Sequence, residues 1–204
     1  MAEHVHDHDH EPKGELAAPP EAEDHEQELE LEARRLLALG RIRQYGDSAL
    51  RMRAREVETV DDDVRRLAER MTALMHEAQG VGLAANQIGV LRRLFVFVDE
   101  GEDRVVVNPE ITKRSMETEL DEEGCLSLRE VLVPVERATA VTIEGLDGDG
   151  QPLKLDLELP SSRIVQHELD HLDGVLIIDR TDDASRREAL AKLRPQPVLG
   201  RPPG

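Results

Sequence analysis

Residues 166–171 read QHELDH, two histidines four apart with a glutamate directly after the first. On a helix of about 3.6 residues per turn, His167 and His171 share one face and can turn a ring nitrogen toward one ion. Glu168 stands about 100° around from His167, beside such an ion and placed to handle a proton of bound water. The same residues also fit a charged surface helix carrying two exposed histidines. HExxH supplies only two ligands and a base, so the third ligand decides the chemistry.

Downstream of His171 the chain continues LDGVLIIDR, without the further histidine that a metzincin requires. Glu188, in SRREAL, is the remaining peptidase-type ligand, and it fits a solvated helix face better. Upstream, DEEGCLSL carries the chain's one cysteine. A Cys125/His167/His171 set with an open fourth position is the pattern of a catalytic metal site. A buried apolar cysteine and a nucleophile activated by a histidine are the other readings of Cys125. The stretch GVGLAANQ at 80–87 adds two glycines that permit close backbone approach to a substrate. Its Gln87 has an amide N–H able to meet a developing oxyanion, or else it is a loop residue in solvent. Gln166 either supports a ligand or covers the helix; Asp170 fits a salt bridge to an arginine, and His76 fits a helix surface.

Several elements must position these groups. VDDDVRRLAERMTALMHEAQG predicts an amphipathic helix with Asp61 or Asp62 as N-cap, an apolar face of Val64, Leu67, Met71, Leu74 and Met75, and Gly80 at its end. RRLFVFVDE and RVVVNPE predict two strands around an Asp/Glu/Gly turn. ATAVTIEGLDGDGQPLKLDLEL predicts a hairpin about DGDG. The metal-motif helix begins near Ser161 or Ser162 and runs to Gly174, and residues 184–194 form a short terminal helix. EQELELEARRLLALGRIRQYG predicts an earlier helix on Leu29, Leu36, Leu37 and Leu39. Antiparallel sheets and hairpins around a helix carrying HExxH make an α+β fold.

With 204 residues and 39% hydrophobic content, the chain suits one core rather than two domains. Residues 27–194 are expected to form a single catalytic domain. The acidic, His-rich segment 1–26 and the Pro/Gly-rich segment 195–204 are expected to be disordered tails. The HVHDHDH stretch fits a solvated acidic tail, with loose metal buffering as the alternative. Of the net charge of −18, residues 1–32 carry −11 and the rest −7. With two Phe, one Tyr and no Trp there is neither the basic footprint nor the aromatic platform of a nucleic-acid binder, although RMRAR at 51–55 is locally basic. No apolar run approaches the roughly 20 residues of a membrane span, and the start lacks the pattern of a signal peptide. A cytoplasmic protein is expected.

GVGLAANQ, EGCLS and QHELDH, in this order and at these separations, resemble the three signature motifs of the peptide deformylase family, from about residue 43 to 180. The resemblance implies a metal-dependent hydrolase removing the formyl group from the N-terminal formyl-methionine of new proteins and releasing formate. It implies that Cys125, His167 and His171 hold one divalent ion, commonly Fe2+, with Zn2+, Ni2+ or Co2+ able to substitute. Water takes the fourth position. Gln87 and the backbone N–H of Leu126 then stabilise the oxyanion, and Glu168 shuttles the proton. Val81, Gly82, Gly124 and Ile164 bind substrate, by strand addition and an apolar methionine pocket. Formyl-Met nascent polypeptides and a transient ribosome contact are the implied partners, with no DNA or membrane. A metallopeptidase and a non-catalytic metal-binding protein are the competing functions. Asn86 and Arg129 stand where the family often has proline, and LPSSRIVQHE replaces a more apolar approach to the helix.

Overall fold

The computed structural model describes residues 20–194. Of the tails expected at 1–26 and 195–204, residues 1–19 and 195–204 lie outside them. The chain divides after Ala33 into two units. In chain order the elements are α1 (Pro20–Leu39), α2 (Asp62–Glu77), β1 (Gly82–Ala84), β2 (Leu94–Asp99), β3 (Glu102–Arg114), β4 (Thr118–Cys125), β5 (Leu128–Ala138), β6 (Ala140–Leu146), β7 (Pro152–Glu158), α3 (Ser161–Leu172) and α4 (Asp183–Leu193).

Helix α1 opens at Pro20, inside the stretch expected to stay outside the fold, because proline suits a first helical turn and Ala, Glu, Gln and Leu are strong helix formers. It also stops sooner than the sequence suggests, at Gly40. Of the four leucines expected to pattern it, Leu29, Leu36 and Leu37 are exposed and only Leu39 is buried.

Antiparallel pairing orders one sheet as β1-β2-β3-β6-β7, leaving β1 at an edge, while β4 and β5 form a separate ribbon. Strand β2, LFVFVD, is apolar along most of its length because both faces are covered. Leu94 and Val96 join the cluster built on Val64, Leu67, Met71 and Met75 of α2. Phe95 and Phe97 point the other way, into the cluster that holds Val165 and Leu172 of α3. The sheet is thus packed between the two helices, each fully buried Phe or Leu contributing roughly 1.5–3 kcal/mol.

Asp61 caps α2 by accepting from the Val64 N–H at 3.0 Å. At the other end the left-handed residue is Gln79, with φ 56°, not Gly80. Gly80 instead closes the helix through its N–H to the Met75 carbonyl at 2.9 Å. A Cβ there would lie 2.8 Å from Leu126 Cδ1 and would push that side-chain end aside.

The β4–β5 ribbon was not apparent from composition or spacing. Strand β4, TELDEEGC, is almost wholly exposed, and β5 contains Pro134, which a ribbon strand with one open edge tolerates. Val131, Val133 and Val135 alternate inward on β5 against Leu50, Leu176 and Ile178, and α4 covers them through Ala189.

Candidate metal centre

Three elements converge on one point. The β4–β5 turn brings Cys125, at the last position of β4, rather than a loop between strands. Helix α3 brings His167, Glu168 and His171. The segment after α2 brings Gln87 in a 3-10 turn at Ala85–Ile88. Ligand atoms of Cys125, His167 and His171 lie within 4.8 Å of one another, the one such group of three among the described residues. Cys125 Sγ is 3.2 Å from His171 Nε2. Glu188 is on α4 in an exposed pair with Lys192, away from this point.

Each ligand is held from behind. His167 Nδ1 faces Glu123 Oε2 at 3.1 Å, which leaves Nε2 for an ion. Glu123 is in turn gripped by Arg137 through both oxygens at 2.9 and 3.0 Å and by Arg163 at 3.0 Å. Arg137 continues to Asp170 at 2.6 Å, and Asp170 to Arg180. The Asn86 amide donates to the His171 carbonyl, and the Ser127 N–H donates to Cys125 Sγ at 3.4 Å. Glu123, Arg137, Ser127 and Asn86 were missed in the sequence. One signal for Glu123 was present: in a strand, residues two apart share a face, so Glu123 follows Cys125 toward the site.

Burial raises the Glu123 carboxyl, but the hydrogen bonds from His167 and Arg137 outweigh it and hold the group at about 2. Burial opposes a proton on His167, yet the Cys125 and Glu123 hydrogen bonds raise it well above the ordinary value. His171 is lowered by burial and by repulsion from His167 and Arg137, and so is neutral, as a ligand must be. The surroundings of His167 favour a positive charge between a thiol sulfur and a carboxylate. A divalent cation bound by one sulfur and two imidazoles satisfies that preference, so the donor set fits a metal ion.

Glu168 is 3% exposed, and burial lifts its carboxyl to about 7. Its Oε2 has no hydrogen-bond partner among the described residues. Gly82 is buried against this carboxylate, where any side chain would collide with it. Gln87 is oriented through both ends of its amide: Oε1 accepts from the Ala84 N–H at 2.8 Å and Nε2 donates to Ser127 Oγ at 3.2 Å, 3.8 Å from Cys125 Sγ.

In front of these groups lies a cavity of about 400 Å³ whose wall includes Val81, Gly82, Gln87, Gly124, Cys125, Leu126, Ile164, His167 and Glu168. All the residues expected to bind substrate are on it. His171 lies behind it, almost fully buried. Val81 is exposed, and its carbonyl is taken by the Val98 N–H at 2.9 Å. Gln166 ties α3 to β5 by donating to the Ala138 and Ser162 carbonyls, so it covers the helix and does not touch a ligand. His76 pairs with Asp103 at the surface. No described helix is long and apolar enough to cross a membrane.

Residues 39–187 match the polypeptide deformylase family. A peptide deformylase of Thermotoga sp. (strain RQ2) is 46% identical over 147 residues, covering 72% of this chain and 89% of that protein. One from Chromohalobacter salexigens is 42% identical over 156 residues, covering 75% and 92%. The crystal structure of a peptide deformylase from Legionella pneumophila superposes with a TM-score of 0.71 at 40% identity, covering 74% of this chain and 91% of that one. The chain therefore belongs to the peptide deformylase family, metal-dependent hydrolases that remove the formyl group from the N-terminal formyl-methionine of new polypeptides.

Proposed function

We propose that Cys125, His167 and His171 are the metal ligands and that Fe2+ is the ion in the cell, with Zn2+, Ni2+ or Co2+ as substitutes. The single observation that carries this is the convergence of one sulfur and two imidazoles within 4.8 Å beside a buried carboxylate oxygen without a partner. When bound, such an ion polarises the formyl oxygen and acidifies water.

Glu168 takes the proton of the attacking water and delivers it to the departing amine. A carboxyl held at about 7 takes up and releases that proton with little bias at neutral pH. Gln87 Nε2, fixed by Ser127 and Ala84, donates to the developing oxyanion together with the Leu126 N–H; one such donor is worth about 10²–10³ in rate. The peptide adds as a strand along the edge strand β1 at Val81 and Gly82, which binds with little regard to sequence. Ile164 and Gly124 line the methionine pocket, whose apolar filling gives about 1–3 kcal/mol of preference. The reaction assigns the protein to the cytoplasm and to nascent chains in transient contact with the ribosome.

Incubating the metal-loaded protein with formyl-Met-Ala-Ser and its unformylated twin tests this. Formate from the first peptide without cleavage of either peptide bond is the expected result. Cleavage of both peptides would make the protein a metallopeptidase, and no product from either would leave a non-catalytic metal protein.

A further inference from the structure

Residues 43–45 touch the loops of the metal centre at three points. The Arg43 N–H donates to the Gln87 carbonyl at 2.6 Å, and the Tyr45 N–H donates to the Ser127 carbonyl at 2.9 Å. Between them the half-buried Gln44 donates its side-chain amide to two carbonyls, those of Ile42 and Leu126, each at 3.1 Å. Any residue with a backbone N–H could make the first two contacts, whereas the third depends on the Gln44 side chain. Its target is the peptide group between Leu126 and Ser127, at the centre of the two-residue turn that joins β4 to β5. That peptide is held at both ends. Its N–H, from Ser127, donates to Cys125 Sγ at 3.4 Å, and its carbonyl, from Leu126, accepts from Gln44. Turn types I and II differ by a rotation of this central peptide, so the flanking strands alone do not fix its plane.

We infer that Gln44 is a positioning residue of the metal centre. It fixes the plane of the Leu126–Ser127 peptide, and with it the N–H on the Cys125 sulfur and the N–H of Leu126, which lines the cleft. The inference rests on reading Cys125 as a metal ligand and the Leu126 N–H as an oxyanion donor. An N–H on a thiolate lowers the energy of the sulfur lone pair and reduces the charge it gives to an ion. The Leu126 N–H belongs to the preceding peptide, joined to the held one through a single α-carbon, so a rotation of one turns the other. An oxyanion donor acts only if it is in place before charge develops, and a turn free to rotate presents it for part of the time.

Two variants test this. Gln44→Leu keeps the bulk and loses the donor, and Gln44→Glu keeps the shape but turns a carboxylate toward the two carbonyls. Each is loaded with Co2+ and its sulfur-to-metal absorption band is recorded, beside kcat and KM for formyl-Met-Ala-Ser. Both variants should move the band to longer wavelength, because the sulfur loses hydrogen bonding. Gln44→Leu should lower kcat by about 3–10-fold, the scale of one hydrogen bond, and Gln44→Glu should lower it further. KM should stay nearly unchanged in Gln44→Leu, because the loss falls on the transition state. Asp47→Ala is the control from the adjoining turn. Asp47 caps the 3-10 turn Ser48–Arg51 by accepting from the Ala49 N–H at 2.9 Å, and its loss should lower stability while leaving the band and kcat in place. An unmoved band in both Gln44 variants, or an equal shift in Asp47→Ala, overturns the inference while formate release by the unaltered protein upholds the deformylase reading. No formate from the unaltered protein would remove that reading instead, and a band that moves in the Gln44 variants alone would still uphold the positioning role.

Discussion

Helices α2 and α3 cover opposite faces of one sheet but bury different things. Helix α2 buries Val64, Leu67, Ala68, Met71, Leu74 and Met75. Helix α3 buries Ser161, Ser162, Val165, Gln166, Glu168, His171 and Leu172, more polar residues than apolar ones. The first arrangement needs only an apolar partner surface. The second leaves donors, acceptors and charges away from water, each of which costs free energy unless met. Their partners come from β2, β3 and β5, from the end of β4 and from the 3-10 turn after β1, so α3 is stable only inside this tertiary structure. What α3 exchanges for easy packing is a rigid polar cluster in which two imidazoles and a carboxylate are held at fixed positions.

The largest effects should come from removing the groups that α3 was arranged around. Cys125→Ala should lose the ion and all formate release, read by metal analysis and formate assay. Glu168→Gln should keep the ion and lose about 10²–10⁴ in kcat. Full activity in the Glu168 variant would sink the proposed proton shuttle.

A paired substitution tests the contrast between the helices. Met71→Ala should cost about 2–5 kcal/mol of stability through a cavity, with Co2+ affinity retained. Arg137→Ala should cost about 1–3 kcal/mol, because Glu123 and Asp170 each lose a charged hydrogen-bond partner, although Glu123 keeps Arg163 and Asp170 keeps Arg180. It should also weaken Co2+ binding about 10–100-fold through the loss of His167 orientation. Equal losses of Co2+ affinity in both variants would show that the helices are not functionally distinct.

The smallest expected effect lies beyond the end of α3. Burial pushes the Asp179 carboxyl up, but Arg51, the Leu176 N–H and Arg186 outweigh it and hold the group below its ordinary value of 3.8. A lowered carboxyl stabilises the fold above its unfolded value and ceases to do so as pH falls through the folded one. Asp179→Asn should therefore lower the melting temperature slightly at neutral pH and flatten its decline below about pH 4. An unchanged acid limb would mean that this carboxylate contributes nothing there.

Legibility in the sequence followed the same division. Helix α2 was readable from the spacing of its apolar residues and from Gly80 after its end, while the left-handed residue there is Gln79. The β2–β3 pair was readable from short apolar runs about a turn, and the β6–β7 pair from alternation and turn residues. Ribbon β4–β5 escaped because TELDEEGC shows no apolar alternation and its first five residues face solvent. Leu29, Leu36 and Leu37 misled because a helix can present leucines to water when its stability comes from propensity.

The sequence by itself determined the reactive groups. HExxH spacing places two histidines on one helix face with a glutamate about 100° around, and a single cysteine upstream offers the third of the proposed ligands, because helical geometry fixes neighbours four residues apart. Only the tertiary structure decided how those groups are held. Glu123 behind His167, Arg137 behind Glu123, the Asn86 amide on the His171 carbonyl and the Gln44 amide on the Leu126 carbonyl come from segments far apart in the chain. Local periodicity carries no information about which of them will meet. That is settled by which faces of the sheet are covered and by the need to partner most of the polar groups buried there, with the Glu168 Oε2 left open.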